Sequence, residues 1–266
     1  MAAARDKGHT FLRVLAILER VVEVETDTTP SALANHLGLP KASAHRLCQL
    51  LEQEQLLSRD LDGHGLVAGP RLRRLAVNVL GSDGPRAPRQ AILQSLAEEI
   101  GETCNITIPD GTSMVYHDRV ESAWPLRIQL PVGSHVPLHC TASGKLYLSS
   151  LPSARRRRVI ARLDLEPHTA NTITDAAALE AALKPIRSDE VGVDDEEFLD
   201  GMVAVAVPIK DPQGRVCATL ATHGPVQRMS LERARAQVPN LKRAAAELAA
   251  TLAGADAPNA AEDDTD

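Results

Sequence analysis

Aromatic side chains are nearly absent: the 266 residues hold two Phe, two Tyr and one Trp. Single-stranded nucleic acid and RNA are bound on platforms of stacked aromatics, so that class of function is set aside. The four cysteines, Cys48, Cys104, Cys140 and Cys217, are scattered and form no Cys-x-x-Cys pair and no zinc spacing. They read as reduced thiols, and neither a metal ligand set nor a cofactor is expected. No apolar run approaches the ~18 residues a membrane span needs, and residues 1–9 are too polar for a signal peptide. The expectation is a soluble, cytoplasmic chain with no membrane partner. A positive excess is lacking too: net charge is −6. Its distribution matters more than its sum. Residues 1–80 carry ten Lys/Arg against nine Asp/Glu, whereas residues 81–266 carry 19 against 26. The first part can still meet DNA if its cations face one way.

What is there begins with three short amphipathic stretches. In the first, Phe11, Val14, Leu15, Leu18, Val21 and Val22 recur at helical spacing, with Thr10 as the expected N-cap. The second opens on Thr29-Pro30, a cap followed by proline at the first helical position, and stops at Gly38. The third starts near Pro40-Lys41 and turns Ala44, Leu47, Cys48 and Leu51 inward. The period then changes. Leu56-Leu57-Ser58-Arg59 and Leu66-Val67-Ala68 read as strands flanking Asp62-Gly63-His64-Gly65. Three helices and a hairpin in about 60 residues is the order of a winged helix-turn-helix. The expected domains are 8–69 for this unit, 70–88 for a linker helix and a Gly/Pro-rich linker, 89–252 for a second domain and 253–266 for an acidic, disordered tail.

In the second domain, residues 91–100, 141–151, 152–163, 176–187 and 231–252 read as helices. Residues 104–108, 114–120, 126–130, 202–209 and 215–221 read as strands. Without strict βαβ alternation, this mixture predicts an α+β fold with helices packed on an antiparallel sheet.

On the third helix the apolar stripe fixes the opposite face. Ala42, Arg46 and Gln49 lie about 160–210° from it, at ~100° per residue. Ser43 and His45 flank that face and Lys41 sits in the first turn. These short or cationic groups suit a major groove: Arg46 or Gln49 at base edges, Lys41 and Ser43 at phosphates. Arg59 and His64 in the wing would meet a neighbouring backbone.

The residues resemble the IclR family. Leu33-Ala34-x-x-Leu37-Gly38-Leu39-Pro40-Lys41, His45-Arg46-Leu47 and Leu57-Ser58-Arg59-Asp60 are similar to its DNA-binding domain. Asp118-Arg119-Val120-Glu121, Gly133-x-x-x-Pro137-Leu138-His139, Ser143-Gly144-Lys145, Val193-Asp194-Asp195-Glu196-Glu197 and Gly224-Pro225 follow in the order of its effector domain. The resemblance covers about residues 8–250. It implies a GAF-like effector domain, homodimers or homotetramers, a double-stranded DNA operator and control of a catabolic operon. It also implies a ligand pocket: backbone amides of Ala142 and Ser143, then Ile128, Asp194, Met202, Ala204, Ala221 and His223. Small-oxoacid-binding members carry Cys or Ser at some of these positions. Ala204 and Ala221 offer no side-chain hydrogen bond, so the resemblance implies a roomier, less polar pocket that suits an aromatic or larger organic acid. His139 reads as structural, Cys140 and Cys217 as core thiols.

Two other functions are weighed. An enzyme would draw on Ser143, Lys145, Asp194 and His223, yet no Gly-x-Ser-x-Gly elbow, His-Glu-x-x-His, Walker loop or Gly-x-Gly-x-x-Gly is present, and no catalytic residue is expected. An architectural DNA binder would need no sensing pocket.

Overall fold

A computed structural model describes residues 2–23, 28–60, 63–80, 83–124 and 130–254. The chain folds as two units, residues 1–82 and 83–266. In the first, helices α1 (Ala2–Glu23), α2 (Pro30–His36) and α3 (Lys41–Gln53) precede strands β1 (Leu57–Arg59) and β2 (Leu66–Ala68) and helix α4 (Pro70–Leu80). Thr29 caps α2 through its hydroxyl, which accepts from the Ala32 amide at 3.2 Å. The helix ends because Gly38 takes φ +63, a left-handed conformation that costs glycine little, and the Leu39 amide reaches back to the Ala34 carbonyl at 2.9 Å. Thr10, expected as a cap, lies inside α1, which begins eight residues earlier at Ala2. Ile17, Val21, Leu33, Leu47, Cys48, Leu51, Leu57 and Leu66 form the buried core, the inward stripe of all three helices plus one side of the hairpin. Ser58 pairs with Val67 in an antiparallel register.

The second unit runs α5 (Asp83–Ile100), β3 (Thr103–Asp110), β4 (Ser113–Val120), β5 (His135–Pro137), α6 (Ala142–Ser150), α7 (Ser153–Ile160), α8 (Ala176–Asp189), β6 (Gly192–Asp195), β7 (Met202–Lys210), β8 (Val216–Pro225), α9 (Leu231–Ala236) and α10 (Val238–Gly254). Its six strands pair antiparallel in the order β5-β4-β3-β8-β7-β6. Side chains alternate across the sheet. Val203, Val205, Val207 and Ile209 of β7 pack with Leu93 and Leu96 of α5 and Leu241 and Leu248 of α10. Ala204 and Ala206 face the other way, toward Ala142 and Leu146 of α6 and Leu179 and Leu183 of α8. Most of the residues expected to form a pocket gather on this second face.

Some expectations shift. The Gly/Pro-rich stretch read as a linker is helical from Asp83 onward. Pro85 falls in the first turn of α5, where a missing N–H costs nothing, and the helix is continuous through Pro88 into the residues packed on the sheet. The single closing helix is two, α9 and α10. Pro239 has no N–H to return to the Arg235 carbonyl, and the break falls just before it, at Gln237. Strands β5 and β6 were not expected: at three and four residues they are too short for a period to show. β8 runs four residues past its expected end and so carries His223 into the sheet. The expected strand at 126–130 and the tail beyond 254 fall outside the described residues, Leu130 apart. Among the described residues no helix is long and apolar enough to cross a membrane.

Candidate functional site

Helix α3 presents Lys41, Ala42, His45, Arg46 and Gln49 to solvent, with Ser43 half-buried. Among the described residues no carboxylate pairs with Lys41 or Arg46. Pro40, the N-cap residue, offers no side-chain acceptor, so the first amides of α3 stay open. Open amides, a helix N-terminus and a nearby cation make a phosphate seat, one turn before a side chain long enough to reach a base edge. His45 Nε2 lies 3.3 Å from Ser31 Oγ on α2. Arg59 is exposed, and its guanidinium also grips Glu52 of α3, Nε to Oε1 at 2.5 Å and Nη2 to Oε2 at 3.1 Å, which ties the hairpin to the helix. His64 is exposed, beside a turn held by its own amide donating to Asp60 Oδ1 at 3.0 Å.

The second unit encloses a narrow cavity of about 30 Å³ on the α6 face of the sheet. Ala142, Ser143, Asp194, Met202, Ala204, Ala221 and His223 all line it; Ile128 lies outside the described residues. The register explains the gathering: Ala204 opposes His223, Ala206 opposes Ala221 and Asp194 opposes Ala204, so these positions share one face. Sequence reasoning missed the other wall. Asn105 and Thr107 of β3, Tyr116 of β4, Thr141 and Phe198 line the same space. Arg119 pairs with Asn105 across the strands. Its side chain is 3 % exposed and sits 3.7 Å from Glu121, with its guanidinium carbon 5.4 Å from the centre of the Tyr116 ring. The cavity is narrow, where a roomy one was expected, and polar and apolar groups share its lining. Ala204 and Ala221 are small, but their strand neighbours bring amide, hydroxyl and phenol groups.

Helix α6 aims at this space. Thr141 caps it, accepting from the Gly144 amide at 3.1 Å and donating to the Pro137 carbonyl at 2.7 Å. The amides of Ala142 and Ser143 donate to no protein group among the described residues. Gly144 and Gly192 let the backbones close in: a Cβ on Gly192 would stand 2.1 Å from the Ala142 carbonyl oxygen, and one on Gly144 would stand 2.5 Å from Leu138. Asp194 Oδ1 accepts from the amides of Glu197 at 2.8 Å and Phe198 at 3.3 Å, folding the acidic loop back. Burial pushes its carboxyl up to about 7. Lys145 and Glu197 form a buried ion pair beside it. His223 is 5 % exposed, and its Nε2 has no hydrogen-bond partner. Burial first, then the Arg119 charge, lowers its pKa to about 3, so the ring is neutral. The cavity thus offers two open amides, an orphaned imidazole nitrogen and a nearby guanidinium, a donor set for a small anion. Among the described residues no hydrogen bond joins Ser143 to His223 Nε2.

Comparisons with known proteins agree. Residues 11–61 match the IclR helix-turn-helix domain, and residues 79–250 match the bacterial transcriptional regulator IclR C-terminal domain. The probable transcriptional regulator SauR of Cupriavidus necator is 46% identical over 241 residues, 91% of this chain and 96% of that one. The crystal structure of the Thermotoga maritima IclR is 28% identical, with a TM-score of 0.61 over 92% of this chain and 98% of that one. An IclR homologue from Microbacterium hydrocarbonoxydans, crystallised with 4-hydroxybenzoate, shares the fold at 23% identity and a TM-score of 0.58, over 92% and 99% of the two chains. The chain belongs to the IclR family of transcriptional regulators, with a DNA-binding helix-turn-helix domain followed by an effector domain.

Proposed function

We propose that the protein controls a catabolic operon by binding an inverted-repeat operator as a homodimer or homotetramer, and that a small organic acid held in the second unit sets its affinity for DNA. One observation carries the sensing half: the open amides of Ala142 and Ser143 and the unpartnered Nε2 of His223 share one buried cavity. A carboxylate on those amides gains the helix N-terminus without any counter-ion of its own, and Arg119 nearby adds positive potential. Asp194 is occupied by loop amides and faces a ligand hydroxyl better than a carboxylate. The amide, hydroxyl and phenol groups of Asn105, Thr107 and Tyr116 and the small volume support a compact acid bearing further polar groups. An aromatic acid is the second reading, favoured by the 4-hydroxybenzoate bound to the Microbacterium hydrocarbonoxydans homologue.

The reading half rests on Lys41, Ala42, Ser43, His45, Arg46 and Gln49 on the exposed face of α3. One such helix reads only a few base pairs, so full affinity needs two half-sites about a helical turn, or a multiple of it, apart. A thermal-shift screen of compact hydroxy- and dicarboxylic acids beside hydroxylated benzoates tests the sensing half. A ligand present at 100 times its Kd stabilises the native state by ~2.7 kcal/mol and raises Tm. A rise with the compact acids supports the first reading, a rise only with benzoates supports the second, and no rise with either set overturns both. A footprint of full affinity over one isolated half-site would overturn the dimeric reading.

A further inference from the structure

We propose that His139, Cys140 and His168 bind one divalent transition-metal ion, zinc foremost, beside the sensing cavity. One ligand atom from each of the three residues lies within 4.8 Å of the other two. A tetrahedral zinc ion sets bound nitrogen and sulfur about 3.5 Å apart, so closing the set takes a shift on the order of 1 Å. His168 is exposed, while His139 and Cys140 are buried. The two imidazole rings already flank the site, with centres 5.9 Å apart.

The surroundings suit a cation. His139 Nε2 lies 3.1 Å from the Glu166 carbonyl. That hydrogen bond orients the ring and leaves its second nitrogen a lone pair, the arrangement that supports imidazole ligands in metal centres. Asp164 and Glu166 stand near His139, and Asp194 and Glu197 near Cys140, with Lys145 opposing on the Cys140 side and His168 on the His139 side. A cavity of about 250 Å³ is bordered by His139, Leu163 and Asp164, so His139 stands at the edge of open space. One thiolate and two imidazoles select zinc and its neighbours over magnesium or calcium. Cys140 binds as a thiolate, so an entering ion displaces the thiol proton to solvent, and its charge supplies the drive.

No spacing in the sequence announces this site, because 28 residues separate Cys140 from His168. The loop is returned by Thr169, whose hydroxyl donates to the Glu196 carbonyl at 2.6 Å, and by Thr172, which accepts from the His168 amide at 3.0 Å. A bound ion would fasten this loop to the turn that opens α6. His168 also meets Phe198 edge-on at 5.5 Å, and Phe198 lines the sensing cavity, so the two sites adjoin without sharing ligands.

The test uses the full-length, untagged chain stripped with chelator. Zinc titrated by calorimetry should bind once per chain, and more weakly as pH falls from about 8 to about 6. Cobalt should give a thiolate-to-metal charge-transfer band that Cys140→Ser abolishes. Because Cys140 is buried, that variant risks misfolding. His168→Ala, changed at the surface, should keep the metal-free melting temperature and lower zinc affinity at least tenfold. No bound ion, unchanged affinity in His168→Ala, or a cobalt band that persists in Cys140→Ser would each overturn the proposal.

Discussion

At the scale of single residues, the two exposed cations of α3 have separable roles. Arg46→Ala should cost operator binding about 1–3 kcal/mol and relax specificity at one base pair, because a guanidinium reads two acceptors on guanine at once. Lys41→Ala should weaken all sequences alike and lower the slope of log affinity against log salt by about 1, as one phosphate contact is lost. Binding titrations on operator and random DNA at several salt concentrations distinguish them; an Arg46→Ala protein with intact operator affinity would show that this face does not read bases. In the sensing cavity the sensitive position is Ala204, which opposes His223 and is 7 % exposed. Ala204→Val adds two methyl groups to a space of about 30 Å³. Overpacking there should cost ~1–3 kcal/mol of stability and lower effector affinity at least tenfold, with operator binding unchanged. Calorimetry with the ligand found by the thermal-shift screen checks it.

At the scale of elements, α6 is the piece on which the sensing site depends. Its amides point into the cavity because Thr141 satisfies only the Gly144 amide, and because β6 lies hard against its first turn. Gly192 makes that approach possible, and its φ is ordinary, so space and not backbone conformation demands the glycine there. A Cβ 2.1 Å from the Ala142 carbonyl oxygen must push strand and helix apart. Gly192→Ala should therefore destabilise the chain by at least ~1–3 kcal/mol and, where it folds, weaken the effector response. Urea unfolding followed by circular dichroism measures the first effect. Wild-type stability in the variant would mean that the strand yields freely.

For the whole molecule, charge and protonation set the expected behaviour. The acidic excess belongs to residues 81–266, while residues 1–80 are close to neutral, so DNA binding does not need a basic protein. Asp194 gives the folded chain a pH dependence with a definite sign. Its carboxyl is raised from 3.8 to about 7, mainly by burial, so between those values the folded state holds a proton that the unfolded state has released. Folding stability therefore falls as pH rises from about 4 to about 7 through this group. His223 works in the opposite sense over an overlapping range. Its pKa drops from 6.5 to about 3, so acid protonates the unfolded chain first, and stability falls as pH drops below 6.5. Asp194→Asn keeps an oxygen for the Glu197 and Phe198 amides but removes the titration. Its melting temperature should lose the decline toward pH 7 and keep the loss in acid. An unchanged profile in this variant would mean that Asp194 is ionised throughout.

The sequence by itself determined the order of elements in the first unit, its winged helix-turn-helix and the outward face of α3. Each of these rests on periodicity and capping within a few turns of chain: Ala44, Leu47, Cys48 and Leu51 point inward wherever that helix sits, and Arg46 and Gln49 therefore point out. Positions on β7, β8 and α6 were also legible, through the resemblance. What surrounds them was decided by tertiary structure. Thr103 pairs with His223, and Asn105 with Ala221, across more than a hundred residues of chain. No local pattern encodes such a register, so the wall of Asn105, Thr107 and Tyr116, with Arg119 beside it, was not visible, and a roomier pocket was expected. The same reason hid the grip of Arg59 on Glu52 and the meeting of His139 and Cys140 with His168. Helical and strand periods are properties of neighbours along the chain, whereas these contacts arise between side chains that only the paired sheet and the folded loop bring together.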